Sequence, residues 1–185
     1  REVVELAEKL QIPVATSLNG KGTILDTHPL SVGVTGTYSR ECANRALSEA
    51  DLIFLIGCPG GGMVTSNWAL IKPGTAVIQV DIEPTELGRN YPNKVSLLGD
   101  VKVTVRRLIE AAKPVEGTTK TWVQRVQQLV KDWRDKTNPK LNSDAAPIHP
   151  ARICKEVTDT LPANGVLVSD TGHAGMWTSQ MVDLK

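Results

Sequence analysis

The segment Leu52-Ile-Phe-Leu-Ile56 contains five consecutive apolar residues and is followed directly by Gly57. An apolar run without alternation is typical of a strand that is covered on both faces of a parallel sheet. Ala76-Val-Ile-Gln-Val80 and Val95-Ser-Leu-Leu98 are two further runs of this kind. The first run predicts a strand covered on both faces, and the other two predict further strands of a mostly parallel sheet.

Helical patterns separate the candidate strands. Apolar residues recur at intervals of three and four from Val3 to Leu10, and the same pattern follows Ser39, a candidate N-cap. Asp100 precedes a third amphipathic stretch, and the segment from Pro13 to Ser17 predicts a further short strand. The alternation of strands and helices predicts an α/β fold with a doubly wound, mostly parallel sheet of the Rossmann-like kind.

The second half of the chain predicts a different organisation. Lys113 to Thr119 is polar with proline and glycine, which indicates a linker after a central α/β domain of residues 1–113. Residues 114–149 are predicted to form this linker, with one helix that a capping box opens at Thr121. Residues 150–185 predict a helix and the strand Val166-Leu-Val168, which begin a second, incomplete α/β unit.

Composition excludes several classes of function. The 185 residues carry 21 lysines and arginines against 20 aspartates and glutamates, so the net charge of +1 offers no footprint for nucleic acid or an anionic membrane. No apolar run approaches the length of about 20 residues that crosses a bilayer, so a cytoplasmic protein is predicted. Three cysteines without C-x-x-C spacing and three scattered histidines predict neither a disulfide scaffold nor a metal site on this chain.

Glycines and acids follow the predicted strands, where open parallel sheets bind ligands. The loop Gly57-Cys-Pro-Gly-Gly-Gly62 lets backbone N–H groups approach an anion, and Asp81 lies 21 positions after Gly60, an interval at which dinucleotide folds place an acid on a ribose. A tight structural turn together with a helix-capping aspartate explains the same pattern. Asp170-Thr-Gly-His-Ala-Gly175 follows the last predicted strand, where a diphosphate could meet loop amides and the His173 imidazole.

Taken in order, several segments resemble the thiamine diphosphate-dependent enzymes of the acetolactate synthase type. Ala7 to Gly22, Val32-Gly-Val-Thr-Gly36, Val80-Asp-Ile-Glu-Pro84 and Leu98-Gly-Asp100 are similar to their central domain. Val168-Ser-Asp-Thr-Gly-His-Ala-Gly-Met-Trp177 looks like the opening of their pyrophosphate-binding domain. The resemblance implies a fragment of a homodimeric or homotetrameric enzyme that decarboxylates a 2-oxo acid and transfers the resulting unit to an acceptor.

The resemblance also implies how this chain would contribute to the cofactor site. Gly172, His173 and Ala174 match the loop that touches the diphosphate of thiamine diphosphate, although the usual pattern there resembles Gly-Gln-His, so a donor role would pass to His173. The Mg²⁺ ligands of the family and its activating glutamate are expected to lie outside this chain. The chain on its own is therefore expected to be inert, with no catalytic residue.

In members of this family that hold FAD or ADP, the nucleotide touches strand-end positions of the central domain. These positions are matched here by Ser17, Leu18, Gly33, Val34, Gly57, Asp81, Ile82 and Asp100. FAD-holding members continue with an Arg-Phe-Asp-Asp-Arg-like stretch, whereas this chain reads Cys58-Pro-Gly-Gly-Gly-Met63, which lacks the cations that neutralise a flavin diphosphate. FAD is therefore not expected, while ADP, a CoA-type nucleotide or an empty structural domain stay open.

A different class of function competes with the enzyme. A non-catalytic module that binds FAD, ADP or NAD, or a structural spacer, would need only the first half of the chain. Such a module has no reason to carry Val168 to Trp177, so this segment favours the enzyme.

Overall fold

The computed structural model describes residues 1–113, 117 and 119–185. Six helices and five strands follow one another along these residues, with a short 3-10 helix at Pro84–Glu86. In chain order they are α1 Glu2–Leu10, β1 Val14–Thr16, β2 Ser31–Val34, α2 Glu41–Glu49, β3 Leu52–Ile56, β4 Ala76–Asp81, β5 Val95–Leu98, α3 Val101–Ala111, α4 Lys120–Leu141, α5 Pro150–Thr160 and α6 Gly172–Met181.

All strand pairs are parallel, which confirms the predicted α/β, Rossmann-like fold. The strands form two sheets, one in the order β1-β2 and one in the order β3-β4-β5. The two sheets are joined where their strands end, because the Thr37 N–H donates to the carbonyl oxygen of Met63 at 2.9 Å. The Thr35 hydroxyl donates to the carbonyl oxygen of Val64 at 3.3 Å in the same place. The loop after β2 therefore lies against the loop after β3.

Two strand assignments differ from the sequence prediction. β2 is a fully buried strand that the pattern did not reveal, because Gly33 interrupts a run of only four residues. The strand predicted at Val166–Val168 is wrong, since this segment has no regular structure and leaves Val166 85% and Val168 88% exposed. A strand requires a hydrogen-bonded neighbour, and none of the described residues provides one there.

Of the three predicted helix N-caps, the structure contains one. Asp100 caps α3 as predicted, because its Oδ1 accepts from the Val103 N–H at 2.9 Å. The two other predicted caps are wrong. α2 begins after Arg40 and not after Ser39, and α4 begins after Thr119 without a side-chain cap.

The largest core cluster joins both halves of the chain. It contains residues of β2, α2, α4, α5 and the end of α6, namely Val32, Cys42, Ala43, Ala46, Val126, Leu129, Trp133, Ala151, Cys154, Met181 and Val182. Helix α4 therefore packs on α2 and β2, α6 packs on β2, and α5 packs on α4 and α6. The predicted start of the linker falls on residues 114–116 and 118, which lie outside the described residues, so the division into 1–113, 114–149 and 150–185 stays a prediction.

The described helices include no segment long and apolar enough to cross a bilayer.

Candidate functional site

Three of the predicted site residues meet at the carboxyl edge of the three-stranded sheet. The Gly57 N–H donates to the carbonyl oxygen of Val80 at 2.9 Å, which places the end of β3 beside the end of β4. The Gly99 N–H donates to the carbonyl oxygen of Asp81 at 2.9 Å, which brings the end of β5 to the same place. Gly57, Asp81 and Asp100 therefore share one edge, which we call the strand-end edge.

The two aspartates at the strand-end edge have structural partners in the chain. Asp81 is 9% exposed, and its Oδ1 accepts from the Glu83 N–H at 3.0 Å, which closes a turn around the exposed Ile82. Asp100 occupies the N-terminus of α3, where its carboxylate already neutralises the partial positive charge of the helix. These contacts support the structural explanation of the glycine and aspartate pattern.

Cys58 and Gly57 are the remaining residues of the strand-end edge that bear on its chemistry and packing. Burial raises the pKa of the Cys58 thiol, and the nearby Asp81 carboxylate raises it further, so the thiol stays protonated at neutral pH. Gly57 has a φ of 56°, and a Cβ there would lie 3.2 Å from Cγ2 of Val101. A glycine at this position therefore lets α3 approach β3 closely.

The remaining predicted nucleotide contacts lie in the two-stranded sheet. Ser17 and Leu18 follow β1, and the Ser17 hydroxyl accepts from the Gly20 N–H at 3.1 Å in a tight turn. Val34, at the end of β2, is fully buried. Gly33 has a φ of 92°, and the side chain of Arg40 fills the space that a Cβ would take there.

The second predicted region lies at the N-terminus of α6. Gly172, His173 and Ala174 are exposed, and the N-cap Thr171 makes no side-chain bond to the first-turn amides. The Asp170 carboxylate instead accepts from the Thr171 N–H at 2.7 Å, just ahead of the helix. Unpartnered amides at a helix N-terminus bind anions, so these residues fit one side of a diphosphate.

A metal ion would need ligands that the described residues do not assemble. No group of three or more histidine, cysteine, aspartate or glutamate side chains that could hold a metal ion occurs among them.

A largely buried ionic cluster lies beside the C-terminal end of α6, outside both regions, and sequence analysis did not find it. Its members are Lys21, Asp26, Arg40, Arg134 and Asp183. Nη1 of Arg40 lies 3.1 Å from Oδ1 of Asp26, and Nη2 lies 2.6 Å from Oδ1 of Asp183. Lys21 pairs with Asp26 at 2.9 Å and Arg134 with Asp183 at 2.7 Å, so cations and carboxylates alternate along the cluster.

Burial and the charges of neighbouring residues have opposing effects on the pKa values of groups in the cluster. Burial would raise the pKa of Asp183, but the charges of Arg40 and Arg134 outweigh it and hold that pKa below its usual value. Burial and the charge of Arg40 lower the pKa of Lys21, although Asp26 partly restores it. Asp183 is separated from Arg40 by 143 positions, so no local pattern could have revealed the pair.

Comparison with known proteins gives a consistent result. A family described as thiamine pyrophosphate enzyme, central domain, matches residues 1–108. The probable acetolactate synthase large subunit of Methanocaldococcus jannaschii is 32% identical over 191 residues, which cover 100% of this chain and 32% of that protein. The acetolactate synthase large subunit of Lactococcus lactis is 32% identical over 178 residues, with 96% of this chain and 30% of that protein covered. The chain thus spans about a third of the length of these relatives.

Proposed function

The chain belongs to the thiamine pyrophosphate enzymes, whose central domain matches residues 1–108, and we propose that it is part of an acetolactate synthase-like enzyme. This enzyme would decarboxylate a 2-oxo acid and transfer the resulting unit to an acceptor, as a homodimer or homotetramer. The relatives are named as acetolactate synthases, so they do not favour a non-catalytic nucleotide module or a spacer.

One structural observation supports the cofactor contact. The first turn of α6 presents its amides at an exposed end without a side-chain cap, while the other end of the helix is buried in the core shared with α2. The amides of His173 and Ala174 would bind diphosphate oxygens, and the His173 imidazole would donate a further hydrogen bond. Thiamine diphosphate supplies a nucleophilic carbanion and an electron sink when it is bound.

Calorimetric titration tests this proposal. The chain should bind thiamine diphosphate in the presence of Mg²⁺, and His173→Ala should weaken binding about tenfold because one charge-assisted hydrogen bond is lost. His28→Gln is the control, since His28 lies between β1 and β2 with its Nε2 3.1 Å from Oε1 of Glu8 in α1. Unchanged affinity in His173→Ala, or an equal loss in His28→Gln, contradicts the assignment.

The strand-end edge takes no FAD in this proposal. Asp81, Glu83 and Asp100 gather negative charge there, and residues 57–63 contain no lysine or arginine. A flavin diphosphate would therefore meet no neutralising cation from this loop. Titration with FAD, ADP and NAD separates the remaining possibilities. Binding of ADP that Asp81→Ala removes would assign a nucleotide to the edge, whereas tight FAD binding contradicts the proposal.

We also propose that the 185-residue chain is inert without further parts of the enzyme. Release of CO₂ from 2-oxo acids such as pyruvate should then equal the buffer blank in the presence of thiamine diphosphate and Mg²⁺. Turnover by the isolated chain contradicts this expectation.

A further inference from the structure

A side chain from a distant part of the sequence binds the C-terminal end of α6. Arg40 donates from Nε to the carbonyl oxygen of Gln180 at 2.9 Å and from Nη2 to that of Val182 at 3.3 Å. The same Nη2 donates to Oδ1 of Asp183 at 2.6 Å. The last carbonyls of a helix lack intrahelical partners and carry partial negative charge, so the guanidinium both caps the helix and neutralises this end.

The rest of Arg40 is held by residues outside α6. Its Nη1 lies 3.1 Å from Oδ1 of Asp26, and its Cζ lies 4.8 Å from the centre of the Trp133 ring. Its methylene groups occupy the space beside Gly33 in β2, and the residue is only 2% exposed. A buried guanidinium is stable only while its partners stay in place, so the position of α6 is coupled to β2.

Three further hydrogen bonds strengthen the same attachment. The Ser179 hydroxyl donates to the carbonyl oxygen of Tyr38 at 2.8 Å. Asp26 and Leu184 are joined twice, since the Leu184 N–H donates to Oδ2 of Asp26 and the Asp26 N–H donates to the carbonyl oxygen of Leu184, each at 2.9 Å. Every one of these contacts lies at the C-terminal end of α6 or just beyond it.

The exposed end of α6 depends on this attachment. A helix of ten residues is about 15 Å long and behaves as a rigid rod, so fixing one end determines where the other end points. We infer that Arg40 is a positioning residue that sets the orientation of α6 and thereby aims the amides of Gly172, His173 and Ala174. The link to the cofactor rests on the proposed function, whereas the attachment of α6 does not.

Hydrogen exchange of the cofactor-free chain tests the attachment. In Arg40→Gln, Asp26 keeps Lys21 and Asp183 keeps Arg134, so neither carboxylate loses its last cation. Amides of residues 172–184 should then exchange roughly 100-fold faster than in the original chain, because α6 opens locally without unfolding the sheet. Amides of β3 and β4 should change by less than about threefold.

Two further variants make the result specific. Arg40→Lys keeps the charge but cannot reach two carbonyls and two carboxylates together, so it should give an intermediate increase confined to residues 172–184. Arg125→Gln is the matched control, because Arg125 joins α4 to Glu49 of α2 at 2.9 Å. It should leave residues 172–184 unchanged.

The outcomes separate the inference from the proposed function. Unchanged exchange of residues 172–184 in Arg40→Gln, or an equal increase throughout the chain in both Arg40 variants, overturns the inference. If Arg40→Gln does not fold, Arg40→Lys decides by the same criteria. Calorimetry with thiamine diphosphate and Mg²⁺ forms the second arm, in which both Arg40 variants should bind more weakly. Absence of binding by the original chain counts against the proposed function alone.

Discussion

Gly33 and Arg40 form the residue pair on which the packing of β2 depends. Gly33 has a φ of 92°, and a Cβ there would collide with the Arg40 methylenes. Resemblance assigns this glycine to a nucleotide site, whereas the structure shows an additional reason for it, namely the room it leaves for a buried side chain.

Replacement of Gly33 should therefore be more harmful than backbone strain alone. Gly33→Ala should lower the free energy of unfolding by more than the about 1–3 kcal/mol that a strained backbone costs. Gly74→Ala is the matched control, because Gly74 has a φ of 90° and open space around its Cβ position. Urea denaturation measures the free energy of unfolding of both variants. Equal losses would show that the Arg40 side chain moves aside without destabilising the fold.

Glu49 gives the chain a pH dependence in acid. Two hydrogen bonds from Arg125, assisted by Arg45, lower the pKa of Glu49 from 4.5 to about 2. The charged pair therefore stabilises the fold fully above pH 4.5, and this contribution is lost as the pH falls through about 2. The free energy of unfolding, measured by urea denaturation from pH 5 to 2, should fall less steeply in Glu49→Gln and in Arg125→Gln than in the original chain. An unchanged slope in both variants contradicts this prediction.

Among individual residues, the sequence revealed those that act locally. Asp100 could be predicted as a cap because its partner, Val103, is three positions away. Arg40 could not be predicted as a core residue, since an arginine before a helix is ordinarily solvated and its partners are Asp26 and Asp183.

Among the elements, α3 depends most directly on one side chain. Asp100→Ala should lower the free energy of unfolding by about 1 kcal/mol, because the Val103 N–H loses its acceptor. Ser39→Ala is the matched control, since Ser39 lies one position too early to cap α2 and should have little effect. Thermal unfolding followed by circular dichroism compares the two, and equal losses would contradict the assigned cap.

Elements with strong periodicity or continuous apolar runs were predictable, and those that depend on neighbours were not. β3 and β4 follow from their apolar runs, although β3 is less covered than its run predicts, since only Ile53 and Leu55 are buried and Leu52 is 45% exposed. β2 has only four residues and a glycine, so its strand character arises from pairing with β1. Val166–Val168 has strand propensity without a pairing partner among the described residues, and propensity alone does not make a strand.

For the whole molecule, the shared core predicts that both halves unfold together. Cys42 lies in α2 and Cys154 in α5, yet both belong to the largest core cluster. Burial raises the pKa of Cys42 to about 11 and also raises that of Cys154, so neither thiol reacts readily in the folded chain. Pulsed alkylation at increasing urea, read by mass spectrometry, should therefore label both in one transition. Labelling of Cys154 at clearly lower urea than Cys42 would show that the halves are independent.

The strand-end edge of the whole molecule was predictable because topology brings parallel carboxyl ends together. The packing of helices α4, α5 and α6 against the first half of the chain could not be predicted. Residues such as Ala46, Leu129 and Val182 meet only through tertiary packing. The candidate site was thus predicted as two separate loops, and the ionic cluster that holds the C-terminal end of α6 was found only in the structure.

The core that α2 shares with α4, α5 and α6 has a practical consequence for anyone who divides this polypeptide. A protein cleaved after Lys113 would keep its two pieces together as a noncovalent complex. Separation would expose apolar surface on both pieces and leave Arg40 and Asp183 without each other as partners. Expressed apart, each piece would aggregate. Mixed during refolding, they would reassemble, which makes the chain a natural candidate for split-protein complementation.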